Sequence, residues 1–224
     1  DVERSRGLGD VYKRQIMDTL CNYHNFDIQW GNHDILWMGA AAGNRACIAT
    51  VIRNNLKYDN MKILENSYGI SLRNLTLFAE KIYPGIDPMK AALKEISVLL
   101  FKLEGQVILR NPDYKMEDKL LLHKVDVARQ TVEIDGREYD IKEETFPTVN
   151  FAAENLEDVY RLTEEEEQVV EGLEMAFVNS IRLRQHIDFL YKKGSMYRIF
   201  NNNLLYHGCV PVSYTHLTLP TILR

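Results

Sequence analysis

Two apolar runs far apart in this chain each stop on a short polar corner, and they constrain the fold more than any other feature. The first is FDIQWGNHD, residues 26–34, in which Phe26, Ile28 and Trp30 alternate like one face of a strand before the run breaks at Gly31. The second is NLLYHGC, residues 203–209, again an apolar run that ends on a histidine and a glycine. A strand that stops this way carries its polar side chains to the edge of a sheet. Where a helix follows, as the pattern after Asp34 suggests, its N-terminus favours anions. Asn32 offers a neutral oxygen ligand, His33 a proton donor, and Asp34 a carboxylate able to fix a histidine tautomer. The residues alone divide the first corner evenly between a functional site and a polar turn. A lone strand-end histidine such as His207 is more often structural.

Between the corners the periodicity is mainly helical. Residues 16–24 place Ile16, Leu20 and Cys21 on one face, like the end of an amphipathic helix. The pattern predicts a strand over 26–30, a loop over 31–34 and one long helix over about 35–58, with Gly39 and Gly43 allowing close packing. Further helices are expected over about 71–83 and 88–104, the latter opening with Pro88 in its first turn. TVEIDGREYDI (131–141) reads as a hairpin turning at Asp135-Gly136. Thr163 with Glu166 forms a capping box at the start of the next helix, and the acidic run 164–167 reads as a solvated first turn. A helix over 181–193 is expected to stop at Gly194 in a left-handed cap. Two strands follow, turning at Asn201-Asn202. The class is α/β, a mostly helical segment set between two strand–loop corners.

Composition narrows the function classes. The chain has 224 residues, of which 46% are hydrophobic, enough for a substantial core, and a net charge of −5 argues against a nucleic-acid surface. Cys21, Cys47 and Cys209 are scattered and odd in number, so they read as free thiols of a cytoplasmic protein. No apolar run approaches the ~18 residues of a membrane span.

The two ends stand apart. Asp10–Gln15 can be encoded GAT GTG TAT AAG AGA CAG, whose reverse complement, read two bases in, encodes Val212-Ser213-Tyr214-Thr215-His216. The two leftover bases, CT, fit the end of a codon for Pro211. Mutually inverted ends look like a translated sequencing adapter. Residues 1–15 and 212–224 are therefore expected to be non-native tails flanking a partial domain over 16–211.

Taken together, the corners resemble the metallophosphatase superfamily, whose two-metal centre is built from D-x-H, GDxxDRG, GNH[DE], a strand-ending H-G and a later G-H segment. DIQWGNHDILWMGA and KGSMY…NLLYHG, with LLFKLEG, LLLHK, FPTVN and YRLTEEE between them, resemble more specifically the class III (Firmicutes-type) fructose-1,6-bisphosphatases. The resemblance covers essentially residues 16–211. It implies a fragment of a four-layer α/β-β/α sandwich with a mainly helical insertion and a β-hairpin. It also implies Asn32 and His207 as metal ligands, His33 as the general acid and Asp34 as the partner that orients it. Two divalent ions about 3.5–4 Å apart would hold a hydroxide for in-line attack on phosphorus. Manganese is the typical ion of the family, and the mixed amide, carboxylate and imidazole ligands suit it. The substrate implied is a sugar bisphosphate, with fructose 6-phosphate and phosphate as gluconeogenic products; a homo-oligomer is left open.

The departures are large. Nothing in 16–211 supplies the D-x-H or the GDxxDRG, and the later G-H segment is absent. GDVYKRQ imitates GDxxDRG but has Lys13 where the second Asp belongs, so Asp10 is not read as a ligand. The 224-residue chain is expected to bind metal weakly and hydrolyse little. His24, His123 and His186 read as surface or packing residues, and Arg45 and Arg53 as ion-pair partners on the long helix face. Two alternatives stay open: another metallophosphatase, such as a protein phosphatase or dinucleotide polyphosphate hydrolase, and a non-catalytic interaction module.

Overall fold

In the computed structural model the described residues are 9–141 and 145–208, with side chains from residue 15 onward. The Cys209 thiol and the 212–224 tail lie outside them. The helices follow in order as α1 (Gly9–Cys21), α2 (Asn32–Ala41), α3 (Arg45–Lys57), α4 (Arg73–Ile82), α5 (Pro88–Arg110), α6 (Leu156–Val159), α7 (Glu164–Val178) and α8 (Ile181–Lys193). The strands are β1 (Ile28–Gln29), β2 (Val125–Asp126), β3 (Thr131–Ile134), β4 (Arg137–Asp140), β5 (Gly194–Ser195), β6 (Tyr197–Phe200) and β7 (Asn203–Tyr206). Mixed α/β describes the result, with helices dominant and three small sheets: parallel β1–β5, antiparallel β2–β3–β4, and the β6–β7 hairpin. Among the described residues no helix is long and apolar enough to cross a membrane.

The spine is α5. Asp87 caps it by accepting from the N–H groups of Met89 and Lys90, and Pro88 occupies the first position, where a missing N–H costs nothing. One face of α5 buries Ala92, Ile96, Leu99 and Leu103 in the main core with residues of α2, α3, α4, α7 and α8. Another face gives Val98 and Ile108 to a second cluster with Leu120, Leu122, Val149, Val159 and Tyr160. A helix buried on two sides has no single apolar stripe, so α5 runs on past the expected end near 104.

Several expectations need correction. The 35–58 run is two helices, because Gly43 adopts φ +86° and Asn44 caps α3 through its side-chain oxygen on the Cys47 N–H. The chain doubles back there; a Cβ on Gly39 would lie 2.6 Å from Cys47 Sγ, so the close packing expected of Gly39 is present. The helix expected over 16–24 spans Gly9–Cys21 and so starts earlier, since without proline a helix propagates more easily than it nucleates. Gly194 is extended (φ −103°, ψ 164°), not left-handed; a Cβ there would lie 2.0 Å from Trp30 Nε1, the indole that donates to the Leu190 carbonyl. Arg45 pairs with Glu167 and Glu174 of α7 rather than along its own helix, and Arg53 donates to Ser97 Oγ of α5. The acidic run is not uniformly solvated either, because Glu166 is fully buried against Lys102.

Two hairpins follow their turn chemistry. Asp135 and Gly136 take φ +51° and +72°, and Asn201 and Asn202 take +48° and +61°, both left-handed pairs that suit tight hairpins. The β6–β7 strands are exposed throughout despite the apolar run before His207.

A second buried carboxylate lies on α5. Glu95 is fully buried, its Oε2 accepts from Tyr83 Oη at 3.0 Å, and its Oε1 has no partner. Burial, followed by the Glu166 charge, raises its pKa to about 7, against lowering by Tyr83 and Lys102. The folded value exceeds the unfolded one, so the stability this group contributes is complete below about 4.5 and is lost as pH rises through about 7. Urea melts at pH 5 and pH 8 should show wild type losing on the order of 3 kcal/mol more than Glu95→Gln over that interval. Parallel losses in the two proteins would remove Glu95 as the cause.

Candidate functional site

The site is built where β1 ends. Pairing of β1 with β5 in parallel register, Ile28 opposite Gly194 and Gln29 opposite Ser195, is prolonged by the Trp30 N–H donating to the Ser195 carbonyl at 2.9 Å. Gly31 then caps α2, so Asn32, His33 and Asp34 form the first helical turn rather than the expected loop. Asp34 Oδ2 accepts from the Gly31 N–H at 2.8 Å, a carboxylate placed where the helix dipole favours it. That bond fixes the entry into the helix; among the described residues no hydrogen bond joins Asp34 to the His33 ring. Asn32 and His33 are exposed, and Asp34 is half-buried.

The second corner arrives on the same spot. From β5 the chain runs into the β6–β7 hairpin, tied back to the β1 region by an ion pair between Arg198 and Asp27. The return strand delivers His207 onto Gly31: a Cβ built on Gly31 would stand 2.7 Å from His207 Nε2 and 2.9 Å from Cδ2 and Cε1. Only a residue without a side chain leaves room for the ring. Asn32, His33, Asp34 and His207 are thus brought to one corner from positions some 170 residues apart in the chain.

The donor set for a metal ion at this corner is partial. Asn32 and His207 offer an amide oxygen and an imidazole nitrogen, but among the described residues no three His, Cys, Asp or Glu side chains group closely enough to hold an ion. A divalent ion needs four to six ligands, about two of which this corner could provide.

His33 and Asp34 also line a cavity of about 480 Å³ between α1, α2, α3 and α8. The same cavity is lined by His186, whose sequence context reads as packing. His186 is 3% exposed, with Nδ1 at 3.2 Å from Tyr68 Oη and Nε2 at 2.9 Å from Asp18 Oδ1. Burial, then the Asp18 charge, pushes Tyr68 up to about 12, so its hydroxyl keeps its proton. A histidine amid Leu183, Ile187 and Leu190 was the only local signal, because both partners are remote in sequence. The other histidines keep modest roles: His24 is exposed, and His123 contacts Tyr160 Oη at 3.2 Å with its pKa lowered by burial.

Comparison with known proteins agrees in one direction. The family described as Firmicute fructose-1,6-bisphosphatase matches residues 2–218, a span that reaches into both end segments. A class 3 fructose-1,6-bisphosphatase of Listeria innocua serovar 6a is 46% identical, covering 94% of this chain and 35% of the relative. One of Clostridium novyi is 43% identical over 95% of this chain, and one of Phocaeicola vulgatus is 42% identical over 92%. The chain spans about a third of the length of the curated relatives it matches. No solved structure matches it.

Proposed function

This chain belongs to the Firmicute fructose-1,6-bisphosphatase family, and from that membership we propose that it supplies one side of a metal-dependent centre that hydrolyses the 1-phosphate of fructose 1,6-bisphosphate. The products are fructose 6-phosphate and phosphate, a gluconeogenic step in the cytoplasm. The observation that carries the reading is the His207 ring seated on Gly31 of the GNHD corner, which joins the two motifs in space. Asn32 and His207 are the residues that would hold a divalent ion; manganese, the ion the family resemblance implies, is compatible with a mixed oxygen and imidazole set. Such ions supply Lewis-acid polarisation of the phosphate and an activated water. His33, exposed at the first turn of α2, donates the proton to the leaving sugar oxygen, and Asp34 positions that turn and its histidine. The β1–β5 pair is the edge of a larger sheet of the metallophosphatase sandwich, and the remaining ligands belong to the two thirds of the relatives' length not spanned here.

The 224-residue chain alone is accordingly expected to hold manganese weakly by calorimetry and to release little phosphate from fructose 1,6-bisphosphate. A full-length protein carrying this segment should hydrolyse it, and His33→Asn should lower its kcat by about 10²–10⁴ with KM nearly unchanged. Robust metal-dependent hydrolysis by the isolated chain would refute the division of ligands. A full-length protein inert toward the bisphosphate would overturn the function.

A further inference from the structure

The cavity beside His33 and Asp34 is not used by the reaction as described, and its chemistry is specific. Asn54 and Asn60 line it half-buried, and their side chains have no hydrogen-bond partner among the described residues. Asn55, 8% exposed, donates its amide nitrogen to the Val51 carbonyl at 2.8 Å, and among the described residues no hydrogen bond reaches its amide oxygen. Tyr68 lines it with its hydroxyl bonded to His186 in a chain that continues to Asp18, and Trp37, with its ring centroid 5.4 Å from that of Tyr68, adds an aromatic wall. No lysine or arginine is among the lining residues.

We propose that this cavity binds the neutral polyhydroxylated body of the sugar, with Asn54, Asn55 and Asn60 as hydroxyl-recognising residues and Trp37 as the face on which the ring rests. This deepens the bisphosphatase reading and rests on it for the identity of the sugar. Each carboxamide both donates and accepts, which matches hydroxyl groups that do the same. The lining favours the neutral body over a phosphate, since it carries no lysine or arginine to offset the desolvation of a dianion and includes the Asp34 carboxylate. The volume lies within the ordinary range of about 300–1,000 Å³ for small-molecule sites. The position also fits: His33 lines the same cavity as the three amides, so a sugar held among them would lie beside the proposed proton donor. Specificity for the sugar is thus separated from affinity for phosphate.

The test is titration of the 224-residue chain with 2,5-anhydromannitol, a neutral furanose polyol, and separately with inorganic phosphate, read by side-chain amide shifts and Trp37 fluorescence. Saturable polyol binding is expected, weakened at least tenfold by Asn54→Ala and unaffected by phosphate. Asn60→Ala, on the connection after α3, provides the same loss should Asn54→Ala fail to fold, and thermal melts of both variants report folding. Absence of polyol binding, binding indifferent to both substitutions, or displacement by phosphate would each overturn the proposal. Polyol binding in a protein whose full-length form leaves fructose 1,6-bisphosphate intact keeps the cavity and discards the bisphosphatase reading. Hydrolysis without polyol binding does the reverse.

Discussion

Lys102→Met is expected to cost about 3–5 kcal/mol of folding stability, a large share of the roughly 5–15 kcal/mol available to a domain. The Lys102 ammonium is fully buried and spends its three protons on Glu166 Oε1 at 2.9 Å, Glu166 Oε2 at 2.7 Å and the Thr148 carbonyl at 2.6 Å. Glu166 in turn accepts from the Thr163 N–H at 2.6 Å, so the ion pair ties α5 to the N-terminus of α7 and to the loop of the second cluster. Methionine matches the length of the lysine stem but strands a carboxylate in the core. It also leaves the Thr148 carbonyl unpaired and removes the cation that opposes protonation of Glu95. The control is Lys102→Met with Glu166→Gln, which removes the stranded charge while an amide can still cap Thr163. Urea denaturation should show the double variant recovering more than half of the loss. A single variant within about 1 kcal/mol of wild type would mean that packing alone suffices there. A double variant no better than the single would assign the loss to shape instead of charge.

That ion pair also marks the limit of what local sequence discloses. The helix starts at Pro88 and after Thr163 were legible from their first-turn chemistry, and both hairpins from the residues that tolerate left-handed turns, whereas the Asn44 and Asn155 caps of α3 and α6 were not. The break at Gly43 was not, because an alanine-rich run carries no sign of where it doubles back until Cys47 meets Gly39. Glu166 was readable as a capping residue but not as a buried anion, since its partner is 64 residues away. The site divides in the same manner. Each polar corner is local punctuation, visible as a strand that stops. Their meeting depends on two parallel residue pairs between β1 and β5 and on a glycine that leaves space for an imidazole, neither of which has a local signature. The amides of the cavity are less visible still, because they sit on one turn of α3 and the connection after it, where asparagine ordinarily reads as a helix end.

Gly105→Ala sets local propensity against packing, and packing should win. Alanine is favoured over glycine within a helix by about 1 kcal/mol, and Gly105 lies well inside α5. Yet a Cβ there would stand 2.1 Å from Cδ1, 2.5 Å from Cε1 and 2.7 Å from Cγ of the Tyr160 ring, distances that require movement. Tyr160 has little freedom to give. It is 1% exposed, its hydroxyl accepts from the Leu122 N–H at 3.1 Å, and its carbonyl accepts from Gln106 Nε2 at 2.8 Å. Displacing the ring therefore costs about 1–3 kcal/mol of overpacking plus about 1 kcal/mol for each hydroxyl bond lost, well beyond the gain in propensity. A net loss of about 3 kcal/mol is expected, and it should be uneven. Amide exchange at Leu122, which belongs to the second cluster, should accelerate sharply while Ile52 and Leu99 of the main core keep their protection. Tyr160→Leu placed with Gly105→Ala should restore part of the stability by vacating the ring's volume, at the expense of the Leu122 bond. A higher denaturation midpoint for Gly105→Ala alone would show instead that the ring yields easily, and the glycine would then owe its place to something other than the close approach of Tyr160.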